Sequence, residues 1–272
     1  MLGSDMLYHL NKHHTVFPLT SQDVNITQKE SLYSALNSIS NLEAVINCAA
    51  FTHVDACETE KEHAFQVNNL GVRHLAEYCQ KRDRIVVHFS TDYVFDGEKE
   101  SPYMEEDTPN PINIYGLSKL KGEEAVLAFC KRYYIFRVQW LYGKNGRHFI
   151  KSIVNLTRNH SELSIVTDQW GSPSWSWDLA RCVEYSIEKI PYGIYHLANQ
   201  GFTTWYDFAR FFLEELKINC SLKEITTENF PRPAKRPFNS RLSIQKYLSS
   251  GGLPPLHWKE AVRYFLKEYV QK

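Results

Sequence analysis

Hydrophobic and polar positions alternate along the first half of the chain in a way that predicts strands separated by helices. Short apolar runs, typical of buried strands, occupy residues 15–19, 44–50, 85–89 and 133–138. Segments with apolar residues three or four positions apart predict amphipathic helices over 1–12, 28–39, 58–81 and 113–130. Alternating strands and helices favour βαβ units, and therefore a parallel sheet with helices on both faces.

From residue 141 onward the pattern is less regular. It predicts a helix at 149–159 and short strands near Ile165 and near Ile194. The final segment, 204–272, is predicted to be mostly helical. A basic, proline-rich loop at Pro231–Arg241 interrupts the final segment. The change at residue 141 divides the chain into 1–140 and 141–272, with some segments of the second part returning to the main sheet.

Composition and charge exclude several classes of partner. The chain has 272 residues, 43% of them hydrophobic, a formal net charge of +0 and a pI of about 7.2. Such a neutral chain has no overall field that attracts nucleic acid or an anionic membrane, so neither is expected as a partner. No apolar run reaches the roughly 18 residues of a membrane helix, and the amino terminus does not resemble a signal peptide.

The cysteines also bear on localisation. The six residues are scattered and form no C-x-x-C pair, which argues against a zinc site or a disulfide framework and favours a reducing, cytoplasmic location. His9, His13 and His14 lie close in sequence but lack acidic or cysteine partners, so no metal site is predicted. Glu123–Glu124 is expected to be a solvated helix face.

Candidate chemistry is concentrated in residues 85–119. The apolar run 85–89 ends in small polar residues that include Thr91, where a parallel strand would reach its carboxyl end. Asn113 is a plausible N-cap of the next helix, and the spacing of Tyr115 and Lys119 places both on one helix face. A hydroxyl, a phenol and an ammonium could thus converge on one carbonyl oxygen. The alternative is a surface Tyr–Lys pair and a threonine that caps a strand end.

The order of these blocks resembles a known family. Phe89–Gly97 (FSTDYVFDG) and Tyr115–Lys119 (YGLSK) are similar to the extended short-chain dehydrogenases/reductases, and most of all to the dTDP-4-dehydrorhamnose reductase family. Further matching blocks lie at 45–52, 138–142, 168–173, 195–198, 203–205 and 236–241. The resemblance covers nearly the whole chain.

The resemblance implies a fold and a reaction. The fold would be a doubly wound α/β protein, Rossmann-like, with 1–140 as the dinucleotide-binding domain and 141–272 mostly a substrate-binding lobe. The reaction would be NAD(P)H-dependent reduction of dTDP-4-dehydro-β-L-rhamnose to dTDP-β-L-rhamnose. Tyr115 would be the acid, Lys119 would favour its phenolate and bind the cofactor ribose, and Thr91 would donate to the same sugar oxygen.

The family pattern also implies binding residues. The cofactor positions are Asn25, Ile26, Ala50, Phe51, Thr52, Phe89, Tyr115 and Lys119. The substrate positions are Thr91, Asp92, Trp140, Arg236, Asn239 and Arg241. Trp140 could equally pack in the wall of the cleft without contacting the substrate, and the loop arginines could belong to a solvated basic loop.

NADP is favoured over NAD as the cofactor. Residues 19–21 carry no acidic group to hold the ribose 2′-hydroxyl of NAD. They also carry no arginine to hold the 2′-phosphate of NADP.

The chain departs from the family pattern at its beginning. The family's first strand and most of its glycine-rich turn have no counterpart, and only Gly3 resembles the tail of that turn. We expect either that the recorded start lies inside the coding region or that cofactor binding is impaired. A chain without the strand is expected to be poorly stable, because backbone groups of two neighbouring strands would lose their partners.

Two other functions remain open from the sequence. The chain could act on another nucleotide-linked 4-keto sugar as a reductase or epimerase. It could also be a non-catalytic regulatory subunit, because the methionine adenosyltransferase β subunit resembles the same family. The protein is expected to be a monomer or a homodimer.

Overall fold

The computed structural model describes residues 1–187 and 189–269. The elements of the first half are α1 Leu2–Leu10, α2 Lys29–Asn37, β1 Ala44–Asn47, α3 Val54–Cys57, α4 Lys61–Phe65, a π-helical turn Gln66–Gly71, α5 Val72–Lys81, β2 Ile85–Thr91, a 3₁₀ turn Asp92–Val94, α6 Ile114–Phe129 and β3 Tyr133–Val138. The elements of the second half are β4 Leu141–Tyr142, α7 Phe149–Leu156, β5 Glu162–Val166, β6 Trp170–Gly171, β7 Ser174–Trp175, α8 Ser176–Ser186, β8 Gly193–His196, β9 Thr203–Thr204, α9 Trp205–Glu215, β10 Ser221–Ile225, a 3₁₀ turn Thr227–Asn229, α10 Gln245–Ser249 and α11 Trp258–Tyr269.

The main sheet has four parallel strands in the spatial order β1, β2, β3, β8. Strands β2 and β3 are buried along almost their whole length, which explains why their sequences are continuous apolar runs rather than alternating patterns. Strand β8 shows that a segment of the second half returns to the main sheet, as predicted. The carboxyl ends of the strands share one edge of the sheet, where ligands bind in folds of this kind.

Helices cover both faces of the sheet. On one face α1 and α8 bury Leu2, Met6 and Val183 against Val87 and Phe136. On the other face α2, α5 and α6 form a separate core with the opposite sides of the same strands. This two-sided packing confirms the predicted doubly wound architecture.

A second group of elements has its own apolar core. It is built largely from aromatic side chains of α9 and α11, such as Phe208, Phe212 and Phe265, packed around Trp175. Every buried member of this core comes from residue 142 or later. The high aromatic content of the chain is therefore explained mainly by packing.

The predicted strand at 15–19 is wrong. The structure has no strand there, and Phe17 and Leu19 are 51% and 41% exposed, although Val16 packs on the main core. A strand requires a neighbour for its backbone N–H and C=O groups. Within the described residues, no strand pairs with this segment, and β1 pairs only with β2.

Two other segments differ in detail from prediction. The helix expected over 58–81 consists of α4 and α5 joined by the π-helical turn at 66–71. The final segment contains helices α9, α10 and α11 but also strand β10, which pairs with β5. Residues 270–272 of the predicted helical segment lie outside the described residues. Among the helices that the structure describes, none is long and apolar enough to cross a membrane.

Candidate active site

The amino-terminal turn of α6 is fixed by a cap and by a close backbone contact. Asn113 is the N-cap, as predicted, and its Oδ1 accepts the N–H of Gly116 at 2.8 Å. A Cβ at Gly116 would lie within 3.0 Å of the Tyr93 carbonyl oxygen. The glycine therefore allows α6 to approach the segment that follows β2, and this approach brings Tyr115 beside the end of that strand.

Tyr115 is half-buried beside Tyr93 and Thr91. The rings of Tyr93 and Tyr115 meet edge to face, with centroids 5.8 Å apart. Burial raises the pKa of the Tyr115 phenol, the charge of Asp92 adds to this, and hydrogen bonding with Thr91 opposes it. The sequence predicted that Lys119 would lower this pKa. In the structure the pKa is raised, because burial of the phenol and the charge of Asp92 outweigh hydrogen bonding with Thr91. The Lys119 ammonium donates to the Phe89 carbonyl oxygen instead.

Thr91 and Asp92 form a buried hydrogen-bonded pair at the end of β2. The Thr91 hydroxyl donates to Asp92 Oδ1 at 2.9 Å and accepts the N–H of Tyr93 at 3.2 Å. Burial raises the pKa of the Asp92 carboxyl to about 6, although hydrogen bonds from Ser240 and Thr91 favour its charged form. This site thus contains a carboxyl group that can change charge near neutral pH.

Lys119 lies one turn further along α6 and is 2% exposed. Its Nζ donates to the carbonyl oxygen of Phe89 at 2.6 Å, which ties the helix to the end of β2. Burial lowers the pKa of the ammonium to about 8, against the charges of Glu123 and Cys48, which raise it. One N–H of the ammonium is used by Phe89, so others remain to bind a ligand.

Asn68 connects the segment after β1 to α6. This fully buried residue of the π-helical turn accepts the N–H of Phe51 at 2.8 Å and donates to the Phe51 carbonyl oxygen at 3.0 Å. Its amide also donates to the Ser118 hydroxyl, which in turn donates to the Tyr115 carbonyl oxygen. The predicted cofactor segment 50–52 and the helix of Tyr115 are therefore held by one side chain.

The other predicted cofactor residues have different surroundings. Ile26 packs so closely on Gly71 that a Cβ there would lie within 3.0 Å of its side chain. Asn25 is exposed and caps its own turn by accepting from Thr27. The Phe89 ring is buried in the main core, so this residue could meet a ligand only through its backbone.

The amino-terminal end of α1 lies beside the carboxyl end of β1. A Cβ at Gly3 would be 3.2 Å from Cys48 Cβ, one residue after the strand. Helix amino-terminal N–H groups favour anions such as a pyrophosphate. The predicted dinucleotide segment, Ala50, Phe51 and Thr52, begins two residues further on.

Trp140 has an unusual backbone conformation after β3. Its φ is +45°, in the left-handed region that non-glycine residues seldom adopt. The indole stacks on Trp205 with centroids 3.6 Å apart and planes 11° apart, and its edge lies against Gly171. The two indoles therefore form one aromatic surface at the strand end.

The loop 231–241 contacts Tyr93 and the start of α6, and its arginines have protein partners. Arg236 forms an ion pair with Asp55 at 3.0 Å, and Arg232 reaches the other oxygen of that carboxylate at 3.2 Å. The guanidinium of Arg236 also lies 6.0 Å from the centroid of the Tyr93 ring. The Asn113 side chain donates to the Lys235 carbonyl oxygen, which fixes the loop beside α6.

Asn239 and Arg241 belong to the same loop. Asn239 is 6% exposed, and its amide donates to the carbonyl oxygens of Lys99 and Ser101 while its Oδ1 accepts from Arg241. The Arg241 guanidinium is 5.8 Å from the Trp170 ring centroid. These contacts give Asn239 a structural role that the sequence did not predict, and its role towards a substrate remains a prediction.

A buried ionic network that was not predicted from the sequence lies behind Lys119. Glu123 is 1% exposed and forms an ion pair at 2.7 Å with Arg137 of β3, so its predicted assignment to a solvated face is wrong. Glu124, its neighbour, does lie on the exposed face. A polar residue at position 137 inside an otherwise apolar strand was the signal for a buried partner. Within the described residues no group of His, Cys, Asp or Glu is placed to hold a metal ion.

Comparison with known proteins gives consistent similarities. The family model described as "RmlD substrate binding domain" matches residues 1–271. The spore coat polysaccharide biosynthesis protein SpsK of Bacillus subtilis is 37% identical over 268 residues, which cover 98% of this chain and 94% of that protein.

Two solved structures share the fold over almost the whole chain. The dTDP-4-dehydrorhamnose reductase of Clostridium acetobutylicum has a TM-score of 0.95 and 39% identity, covering 98% of this chain and 95% of that one. The enzyme of the same name from Bacillus anthracis, solved in complex with NADP, has a TM-score of 0.95 and 33% identity, with the same coverage of both chains.

Proposed function

This chain belongs to the family described by the RmlD substrate binding domain, and on that premise we propose that it is a nucleotide-sugar 4-keto reductase. The reaction is the NAD(P)H-dependent reduction of dTDP-4-dehydro-β-L-rhamnose to dTDP-β-L-rhamnose, a step of dTDP-rhamnose biosynthesis. We expect the protein to act in the cytoplasm, as a monomer or a homodimer.

One observation carries the proposal: the phenol of Tyr115 lies beside Thr91 at the carboxyl end of β2, and Lys119 of the same helix donates to the Phe89 carbonyl oxygen of that strand. The helix is held there by its cap and by Asn68. The raised pKa of the Tyr115 phenol keeps it protonated, as an acid must be. It can give its proton to the sugar oxygen as that oxygen gains negative charge. The hydroxyl of Thr91, which donates to Asp92 in the structure, can donate to the same sugar oxygen when it turns away from that carboxylate.

The residues of the site fit a nicotinamide dinucleotide. Lys119 has free N–H donors for a ribose hydroxyl, and the amino-terminal end of α1, beside Cys48, suits a pyrophosphate. The cofactor supplies the hydride when it is bound. We propose NADP as the preferred form, since residues 19–21 have no carboxylate for a ribose 2′-hydroxyl. Asp23, close by, is engaged with the N–H and hydroxyl of Thr20.

On the substrate side we assign Asp92 at the end of β2, Trp140 after β3 and the loop 231–241, which contacts Tyr93 and α6. The Trp140 indole offers a flat apolar surface to a sugar or a base. The guanidinium of Arg236 suits a diphosphate, provided that Asp55 shares it with the ligand. Asp92 can accept a hydrogen bond from a sugar hydroxyl in its charged form.

The test is oxidation of NADPH in the presence of the 4-keto sugar nucleotide, followed by identification of the product. Tyr115→Phe removes the acid but keeps the ring, and we expect its kcat to fall by about 10²- to 10⁴-fold. Tyr185→Phe, on an exposed part of α8, is the matched control and should be as active as the wild type. Equal rates for wild type and Tyr115→Phe, or no reduction by either, would reject the proposal.

A further inference from the structure

Three buried polar side chains form a line from strand β1, through β2, to helix α6. Asn47 lies opposite His88 in the strand register, with its Nδ2 3.2 Å from Nδ1 of the imidazole. The other ring nitrogen, Nε2, is 3.5 Å from Nζ of Lys119. The three residues are between 0% and 5% exposed, so bulk water does not compete for these contacts.

The geometry determines which atoms of this line carry protons. Asn47 Oδ1 accepts the N–H of Ala49 at 3.1 Å, and this turns the Nδ2 group towards the imidazole. An amide nitrogen only donates, so His88 Nδ1 accepts and the neutral ring carries its proton on Nε2. Burial, followed by the charge of Lys119, keeps the pKa of His88 well below its ordinary value, so the ring is neutral.

The Nε2–H of His88 is therefore directed at the Lys119 nitrogen. An ammonium also only donates, so two donors would face each other in a buried place. The amine form of Lys119 has a lone pair that can accept from Nε2–H, while one of its own N–H groups still reaches the Phe89 carbonyl oxygen. The pKa of Lys119, which burial lowers to about 8, agrees in direction with this geometry.

The other titratable groups around Lys119 come from the elements packed on it. Glu123 on α6 favours the ammonium, but it is held in an ion pair with the buried arginine of β3. Cys48, after β1, also favours the ammonium. Tyr115, one turn earlier, is a neutral phenol. The His88 imidazole is thus the group whose hydrogen bonding opposes the ammonium form of Lys119.

We propose that Asn47 and His88 together are positioning residues for Lys119, on the basis of the proposed reductase function. Asn47 selects the ring tautomer, and the Nε2–H of that tautomer favours the amine over the ammonium and holds Nζ at the end of β2. The charge state of Lys119, on the same face of α6 as Tyr115, then depends on His88 when the phenol has given its proton to the sugar oxygen.

The ring tautomer can be measured directly by ¹⁵N NMR of histidine-labelled protein, without cofactor or substrate. The proposal predicts the Nε2–H form for His88. His148, whose Nδ1 accepts the N–H of Lys151, is an internal reference for the same tautomer in the second half of the chain. A Nδ1–H signal for His88 in the wild type would overturn the proposal, and this measurement does not depend on any variant folding.

The variant Asn47→Asp tests the coupling to Lys119. A carboxylate can only accept, so it should switch His88 to the Nδ1–H form and leave Nε2 free to accept from the ammonium. We expect the midpoint of the Lys119 titration, followed by its ¹³Cε resonance, to rise by more than about one pH unit, a tenfold change in the ratio of amine to ammonium. His148 should keep its tautomer.

A raised midpoint with the Nε2–H form retained would mean that the new charge acts alone, and would overturn the role of the tautomer. The fall of kcat on the alkaline side of its pH profile should shift between wild type and variant by as much as the Lys119 midpoint does, while KM stays constant. A protein that shows the NMR behaviour but reduces no sugar would reject the proposed function and leave the Asn47–His88–Lys119 coupling intact.

Discussion

The guanidinium of Arg137 and the carboxylate of Glu123 form an ion pair that is almost completely removed from water. The two side chains are 2% and 1% exposed, and three hydrogen bonds join them. Phe95 lies over the guanidinium, and Nε2 of His196 is 3.4 Å from Arg137 Nη1. Because Glu123 is one turn beyond Lys119, this pair fixes the rotation of α6 relative to the sheet.

Removal of one partner of this pair should strongly destabilise the protein. Glu123→Gln leaves the arginine charge buried without a counter-charge, and we expect the free energy of unfolding to fall by about 3–5 kcal/mol. Chemical denaturation measures this. The matched control is Glu124→Gln, which breaks the exposed pair with Lys121 on the same helix and should change stability by less than about 1 kcal/mol. Similar losses in both variants would contradict this prediction.

The Asp92 carboxyl should make folding depend on pH in an unusual direction. Its folded pKa, about 6, lies above the value of about 3.9 in an unfolded chain, so the folded state binds this proton more tightly. Its contribution to stability is therefore greatest below about pH 4 and is lost as pH rises through about 6. As pH rises from about 4 to about 6, the free energy of unfolding of Asp92→Asn should therefore increase relative to that of the wild type. Urea denaturation at each pH measures this difference.

Asp107 provides a control of opposite sign for that measurement. Burial tends to raise the pKa of its carboxyl, but hydrogen bonds from Lys99 and from the N–H of Met104 outweigh burial and lower it. Its contribution to stability is present above the unfolded pKa and is lost as pH falls through the folded value. Asp107→Asn should therefore lose stability relative to the wild type as pH rises. A parallel response of the two variants would show that one of the two pKa directions is wrong.

The ion pairs of Asp55 should control the position of the loop 231–241. Asp55→Asn weakens charge-assisted contacts with Arg232 and Arg236, each worth roughly 1.5–3 kcal/mol when well shielded. Both pairs are partly exposed, so we expect only about a tenfold rise in KM for the nucleotide sugar, with kcat little changed. Steady-state kinetics and hydrogen exchange of the loop amides measure the two effects.

The control for Asp55 is Asp83→Asn, which removes a partner of Arg132 at an exposed position. It should leave KM and the exchange of the loop unchanged. If Asp55→Asn raises loop exchange without any change in KM, the loop has no part in substrate binding.

The stacked indoles of Trp140 and Trp205 should act as a unit. Trp205→Ala removes the ring that supports Trp140 in its left-handed conformation, and an aromatic pair is worth roughly 0.5–1.5 kcal/mol. We expect kcat/KM to fall by about three- to tenfold and the tryptophan emission to shift to longer wavelength. Tyr206→Ala, at the next position of α9, is the control. Unchanged kinetics in Trp205→Ala would show that both indoles only pack in the wall of the cleft and do not contribute to substrate binding.

The order of elements was predictable because the buried strands are continuous apolar runs and the helices have a clear apolar stripe. Strand β3 and the N-cap Asn113 occur where the sequence placed them. The segment 15–19 has the composition of a strand, but pairing is a tertiary property that composition does not contain. In the described structure this segment has no neighbouring strand.

The candidate site was predictable in its residues but not in its contacts. The i, i+4 spacing of Tyr115 and Lys119 follows from helix geometry. The direction of the Lys119 ammonium depends on the Phe89 carbonyl and on His88, which come from a strand some 30 residues away. Likewise, the burial of Glu123 depends on Arg137, and a pattern along one helix does not reveal a partner on another element.

The π-helical turn at Gln66–Gly71 has a consequence for sequence alignment. Such a turn contains one residue more than a continuous α-helix would need, and each added residue rotates the following side chains by about 100° around the axis. Deleting a single position there would direct Asn68 away from Phe51 and Ser118 while α4 and α5 stayed helical. A one-residue gap between Phe65 and Val72 in a related sequence would therefore identify a protein in which this amide cannot hold both segments.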